Sequence, residues 1–207
     1  MRRDERIGDI LLFTEHEHVY TLGKSSDDNH LLASAEELTI DGIEVFHCDR
    51  GGDITYHGPG QIVGYPILNL TNFKPDIHLY LRNLEETIIR TLKEFGINGT
   101  REDGLTGVWV DGEKIAAIGV KVSGWVTMHG FALNVNTDLN KFGRIIPCGI
   151  FHKGVTSIKK ILGREIHLND VEIILEKKFA EVFGCTIQRI EKNALYELLK
   201  RTMAEKA

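Results

Sequence analysis

Residues 106–122 read T-G-V-W-V-D-G-E-K-I-A-A-I-G-V-K-V. Two runs rich in β-branched and small apolar residues flank an Asp-Gly pair, a strong short-range signal for a two-residue hairpin turn. The stretch predicts that 106–110 pairs antiparallel with 114–122. Extended runs recur ahead of it at 9–14, 18–22, 43–48 and 61–70, and after it at 125–135. Helical spacing appears elsewhere. Beyond Pro75 and Asp76, a good N-cap, Ile77, Tyr80, Leu81, Leu84, Ile88, Leu92 and Phe95 recur on one face, and Gly96 can close the helix. Val171, Ile174, Leu175, Phe179, Val182 and Phe183 form a second stripe, with Asn169 or Asp170 as its cap and Gly184 as its stop. A third helix is predicted over 192–203. Strands in clusters, then separate helices, without β-α-β alternation, predict an α+β fold. With no linker, repeat or low-complexity tract, residues 1–207 are expected to form one domain.

Composition narrows the function classes. At 42% hydrophobic and 27% charged residues the chain can build a core of ordinary size. A net charge of -5 excludes the global basic field on which non-specific nucleic-acid binding relies. Local basic clusters remain at Arg2, Arg3 and Arg6, at Lys159, Lys160 and Arg164, and at Lys177 and Lys178. No apolar run approaches the ~20 residues of a membrane-spanning helix. The charged start, M-R-R-D-E-R-I-G-D, lacks the apolar core of a signal peptide. Cys48, Cys148 and Cys185 are widely spaced and odd in number, which predicts free thiols in a reducing compartment, the cytoplasm.

Four segments carry chemistry. Residues 50–61 read R-G-G-D-I-T-Y-H-G-P-G-Q. Glycine permits positive φ and close approach of a ligand to the backbone; here it accompanies a guanidinium and an imidazole. The segment reads equally as a loop around a small ligand or as a hairpin with its turn at 57–60. Lys114, just after the Asp-Gly turn, reads as a solvated surface lysine, but Ala116, Ala117 and Gly119 beyond it leave room for something to lie against the strand. In T-M-H-G-F-A-L-N-V, Gly130 suggests a bulge and His129 a satisfied core or edge histidine. Cys148 lies between Pro147 and Gly149, hence on a turn. It is either a small buried hydrophobe or, if a cation stabilises its thiolate, a nucleophile. Cys48, ending an alternating strand, and Cys185, after a helix stop, read as structural. His16 and His18 raise the question of a metal, but no third and fourth ligand follows at zinc-like spacing.

Taken together, these segments resemble the octanoyltransferases of lipoate biosynthesis, the lipoyl(octanoyl) transferase family. R-G-G-D-I-T-Y-H-G-P-G-Q looks like that family's signature, and E-H-E-H-V-Y-T-L-G-K like its opening segment. T-G-V-W-V, K-I-A-A-I-G, H-G-F-A-L-N-V and I-I-P-C-G-I follow in the family's order. Members usually carry a further stretch, including a helix, ahead of the strand at 9–14; this chain starts almost at that strand.

The resemblance implies a mixed β-sheet with flanking helices, the fold shared with lipoate and biotin protein ligases. It implies a Cys148 acyl-thioester nucleophile and Lys114, rather than Lys121, as the partner that lowers its pKa. It implies a substrate site lined by Arg50, Gly51, Gly52, Asp53, Ile54, Thr55, Tyr56 and His57, by Ala117, Ile118 and Gly119, and by Gly130, Phe131 and Ala132. The donor would be octanoyl-acyl carrier protein. The acceptors would be lipoyl domains of 2-oxoacid dehydrogenases and the glycine cleavage H protein. No cofactor, metal, nucleic acid or membrane is called for. The rivals are an ATP-dependent ligase on the same fold, which would not need Cys148, and a non-catalytic module that binds acylated proteins.

Overall fold

The computed structural model describes residues 7–146 and 154–204. The Asp-Gly hairpin forms as the sequence predicts. β6 (Gly107–Val110) and β7 (Glu113–Ser123) are joined through Asp111 at φ 50° and Gly112 at φ 80°, the paired positive φ of the mirror-image turn that matches strand twist. A second such turn, Gly124 and Trp125, leads from β7 into β8 (Val126–Asn134). These strands join β1 (Ile10–Thr14) and β5 (Gln61–Ile67) in an antiparallel sheet of order β1-β5-β8-β7-β6. β2 (Val19–Leu22) lies at the centre of a smaller sheet, parallel to β3 (Glu44–His47) and antiparallel to β4 (Ile54–His57). Among the named strands, parallel pairing is thus confined to the small sheet.

Strand β4 corrects one reading of residues 50–61. The turn at 58–60 joins no hairpin, because β4 pairs with β2 whereas β5 pairs with β1 and β8. It is a corner where the chain passes from one sheet to the other.

Helix α2 (Ile77–Glu94) is capped by Asp76, whose carboxylate accepts from the Leu79 N–H at 3.0 Å. Its buried Tyr80, Leu84, Ile88 and Leu92 lie on the five-stranded sheet with Val171, Leu175 and Phe179 of α4 (Leu168–Phe183). α4 starts two to three residues earlier than its sequence suggests: neither Asn169 nor Asp170 is the cap, and His167 holds that position without a side-chain hydrogen bond. Gly184 ends it at φ 64°. α5 (Lys192–Ala204) forms over the predicted range. Two short helices were not expected: α1 (Ala35–Asp41), set by a capping box between Ser34 and Glu37, and α3 (Ile158–Leu162). A second core, around Tyr20, Leu22, Ile54, Tyr56, Phe142 and Ile145, sits behind the small sheet. Among the described residues no helix is long and apolar enough to cross a membrane.

Candidate active site

Helices α2 and α4 cover one face of the large sheet. The small sheet and the 48–53 loop stand over the other. Between them lies a cavity of about 540 Å³, within the range typical of small-molecule sites.

Glycines set the fit of the loop over the sheet. The Gly51 N–H donates to the Val120 carbonyl of β7 at 2.9 Å. A Cβ on Gly119 would come 2.7 Å from the Gly51 carbonyl oxygen, and one on Gly130 would come 2.0 Å from that of Gly64. The gaps at these strand glycines therefore receive the protein's own backbone. The β7–β8 register runs unbroken through Gly119↔Gly130, so Gly130 marks close approach of β5 rather than the bulge its sequence suggests.

The bulge lies instead in the β6–β7 pair, where Val108 faces Ala116 but Trp109 faces Lys114, leaving Ile115 as the extra residue. Its consequence decides the site. Ala116, Val120 and Val122 pack toward the helices, Ala117 and Gly119 line the cavity, and Ile118 packs on the core while also bordering the cavity. Strict alternation would send Lys114 to the helix side. The extra residue puts Ile115 into that core, fully buried, and turns Lys114 to the cavity. There the Lys114 Nζ lies 5.1 Å from the Trp109 ring centroid. The Lys114 N–H donates to the Gly154 carbonyl at 2.9 Å and its carbonyl accepts from Thr156 at 3.0 Å.

Of the residues expected at a substrate site, Arg50, Gly51, Gly52, Asp53, Ile54, Thr55, His57, Ala117, Ile118, Gly119, Gly130, Phe131 and Ala132 line this cavity with Lys114. Tyr56 does not. Its ring is buried in the second core, and its hydroxyl meets His18 Nδ1 at 2.6 Å, because β4 alternates and turns it away from His57. Cys148 lies outside the described residues. The chain on either side of 147–153 is tied near the cavity: Ile146 N–H donates to the His30 carbonyl, and His30 Nδ1 is 2.6 Å from Asp53.

The wall residues are held by their own contacts. Arg50 donates to the Thr21 carbonyl at 2.6 Å, to the Thr21 hydroxyl and to the Gly51 carbonyl, fixing the loop to β2. Asp49 accepts from Lys121 and lies 2.7 Å from His129 Nε2, which holds its carboxyl down at about 2. Lys121 is thus engaged at the rim. His129, at φ 61°, is bonded as an edge histidine and also lines the cavity. Burial, with help from nearby His16 and Arg50, pushes His57 down to about 4 against the raising effect of its bond to Gln61.

Sequence reasoning missed several lining residues. His16 belongs to the opening motif but is given no place at the substrate site by the sequence; its Nε2 lies 2.7 Å from the Tyr65 hydroxyl, and both face the cavity. Nothing local marks Tyr65, whose place follows from alternation along β5. Cys48, read as structural, borders the cavity while its thiol donates to the Leu22 carbonyl. Among the described residues no group of three His, Cys, Asp or Glu side chains is arranged to hold a metal.

Fold and site define an α+β protein with a largely apolar cavity of small-molecule size between two sheets and a lysine in its wall. The comparisons give the particular family. The chain belongs to the lipoyl protein ligase A/B catalytic domain family, whose model matches residues 1–180. It is 54% identical over 195 residues to a protein of Flavobacterium psychrophilum named octanoyltransferase, covering 90% of this chain and 84% of that one. It is 58% identical over 183 residues to one of the same name from Christiangramia forsetii, covering 86% and 78%. The bipartite lipoate protein ligase of Thermoplasma acidophilum shares the fold, with a TM-score of 0.70 at 17% identity over 97% of this chain and 85% of that one.

Proposed function

We propose that this chain transfers an octanoyl group from octanoyl-acyl carrier protein to a specific lysine of lipoyl domains, through a thioester on Cys148, as the first step of endogenous protein lipoylation. The names of its relatives support octanoyl transfer. The observation that carries the reading is the bulge at Ile115, which turns Lys114 into an apolar-walled cavity with its backbone bonded to Gly154 and Thr156.

In this reading the Cys148 thiolate attacks the thioester carbonyl of the donor and the carrier thiol leaves. The Lys114 ammonium favours the thiolate and protonates the departing carrier thiolate, becoming a neutral amine. A lysine amine of the acceptor then attacks the acyl-enzyme. The C–N bond forms, the C–S bond breaks, and the proton lost by nitrogen passes to Lys114, which restores the thiolate and ammonium pair. Thioester to amide runs downhill, so neither ATP nor a cofactor enters. The octanoyl tail lies against the cavity wall, where burying eight carbons contributes at most about 6 kcal/mol. The reaction belongs in the cytoplasm, with lipoyl domains of 2-oxoacid dehydrogenases and the glycine cleavage H protein as acceptors.

Docking of an acidic carrier protein falls to a local basic surface. Of the cluster at 159–164, Lys159 bonds Glu165 and Lys160 bonds Glu113, both exposed pairs that an incoming carboxylate can displace. Reversing Lys159, Lys160 and Arg164 together should raise KM for the donor; an unchanged KM removes this surface from the reading.

Intact-mass measurement after mixing with octanoyl-acyl carrier protein, without ATP, tests the chemistry. Wild type should gain one octanoyl group and Cys148→Ser none. No gain without ATP, but acylation from free octanoate with ATP and magnesium, makes the chain a ligase instead.

A further inference from the structure

A buried relay fixes the protonation of one cavity histidine. Gln61 donates both protons of its amide, to the Tyr56 carbonyl at 3.1 Å and to Asn134 Oδ1 at 2.9 Å. Asn134 in turn donates through Nδ2 to the Thr156 carbonyl at 3.0 Å. Flipping either amide would set oxygen against oxygen, so both orientations are determined. Gln61 Oε1 is left as an acceptor, 2.8 Å from His57 Nδ1. Nδ1 therefore carries the proton. A neutral imidazole has one donor and one acceptor, so the lone pair is on Nε2. Gln61 is 1% and Asn134 5% exposed, so solvent does not scramble the relay. His57 lines the cavity, and among the described residues Nε2 has no hydrogen-bond partner.

We propose that His57 Nε2 accepts a hydrogen bond from the attacking amine of the acyl acceptor and aims its lone pair at the acyl carbonyl. The proposal rests on the octanoyl-transfer reading and adds a group for its second half. The choice of partner follows from the reacting atoms. The thioester oxygen and sulfur and the cysteine thiolate are acceptors and offer Nε2 nothing. The nucleophilic amine is neutral, with N–H bonds to donate and one lone pair for attack. Arg50 is a donor only, and Lys114, neutral once it has protonated the carrier thiolate, takes the proton that the amine loses, which leaves the second N–H for Nε2. Holding it fixes the direction of attack, which is where rate is gained once both reactants are bound.

The test separates the two half-reactions. Acyl-enzyme is prepared from octanoyl-acyl carrier protein, and its single-turnover transfer to a lipoyl domain is timed against the acylation step. His57→Phe should slow transfer roughly 10- to 100-fold more than acylation. His57→Gln, whose amide oxygen can stand near the Nε2 position, should recover most of the difference. Nitrogen NMR of the histidines in the wild-type protein at pH 7 should show residue 57 neutral and protonated on Nδ1. Equal slowing of both steps, no recovery by glutamine, or a proton on Nε2 overturns the proposal. If His57→Phe does not fold, the glutamine variant and the wild-type spectrum still decide. A wild type that forms no acyl-enzyme defeats the octanoyl-transfer reading itself, a different result from an acylation-competent enzyme whose transfer is indifferent to His57.

Discussion

Lys114 and Gly130 show how much depends on where one side chain points or is missing. If Lys114 stabilises a thiolate at Cys148, charge and proton transfer can be separated. Lys114→Arg keeps the cation but holds its proton at any accessible pH. Alkylation of Cys148 by iodoacetamide at pH 7 should therefore stay within a few-fold of wild type in Lys114→Arg and fall about tenfold or more in Lys114→Gln. Octanoyl transfer should drop in both, by roughly 100-fold. At Gly130 the question is space. A methyl group there meets the Gly64 carbonyl at 2.0 Å, and backbone cannot step aside as a flexible side chain can. Gly130→Ala should cost about 3 kcal/mol, read from the urea midpoint, and should widen the β5–β8 contact under the cavity.

Among the elements, α2 and the β6–β7 hairpin support each other through one buried carboxylate. Glu85 is fully buried, accepts from Arg82 at 2.7 Å and Arg101 at 2.9 Å, and takes the Gly107 N–H at the start of β6 at 3.1 Å. Glu85→Gln retains the size but loses two charge-assisted bonds. Its urea midpoint should report a loss of about 2 kcal/mol, less than for a fully enclosed ion pair because both arginines reach solvent. The same hairpin carries the bulge that orients Lys114, so this variant should also lower acylation beyond what reduced folding explains.

Across the whole molecule, the cavity lies between two separately packed cores and holds an imidazole that the fold keeps neutral. His57 is held at about 4 against an ordinary 6.5. The unfolded chain therefore binds an extra proton as pH falls from 6.5 to 4, and stability falls across that window by at most about 3 kcal/mol. His16, lowered by burial, acts in the same direction. Asp49 behaves oppositely. Its pKa of about 2 means that its contribution is complete above pH ~4 and is lost only as pH falls toward 2. Urea midpoints measured from pH 7 to 4 should fall for wild type and fall less for His57→Gln; parallel curves would contradict the buried neutral imidazole.

The sequence by itself determined what is local. The Asp-Gly turn is a two-residue conformational preference, the Asp76 cap and Gly184 stop are satisfied within one turn of helix, and the stripe from Ile77 to Phe95 needs only a helical period. Motif order named the segments at 50–57, 117–119 and 130–132, whose residues other than Tyr56 line the cavity, while the segment of Cys148 lies outside the described residues. Tertiary structure decided the rest, because pairing and facing depend on residues far apart in the chain. It sent β4 and β5 into different sheets from one short corner, turned Tyr56 away from the cavity that holds His57, and brought His16 to Tyr65. It also put Lys114 on the cavity side of a strand whose alternation points the other way, since a bulge is an agreement between two strands over register and no single strand encodes it.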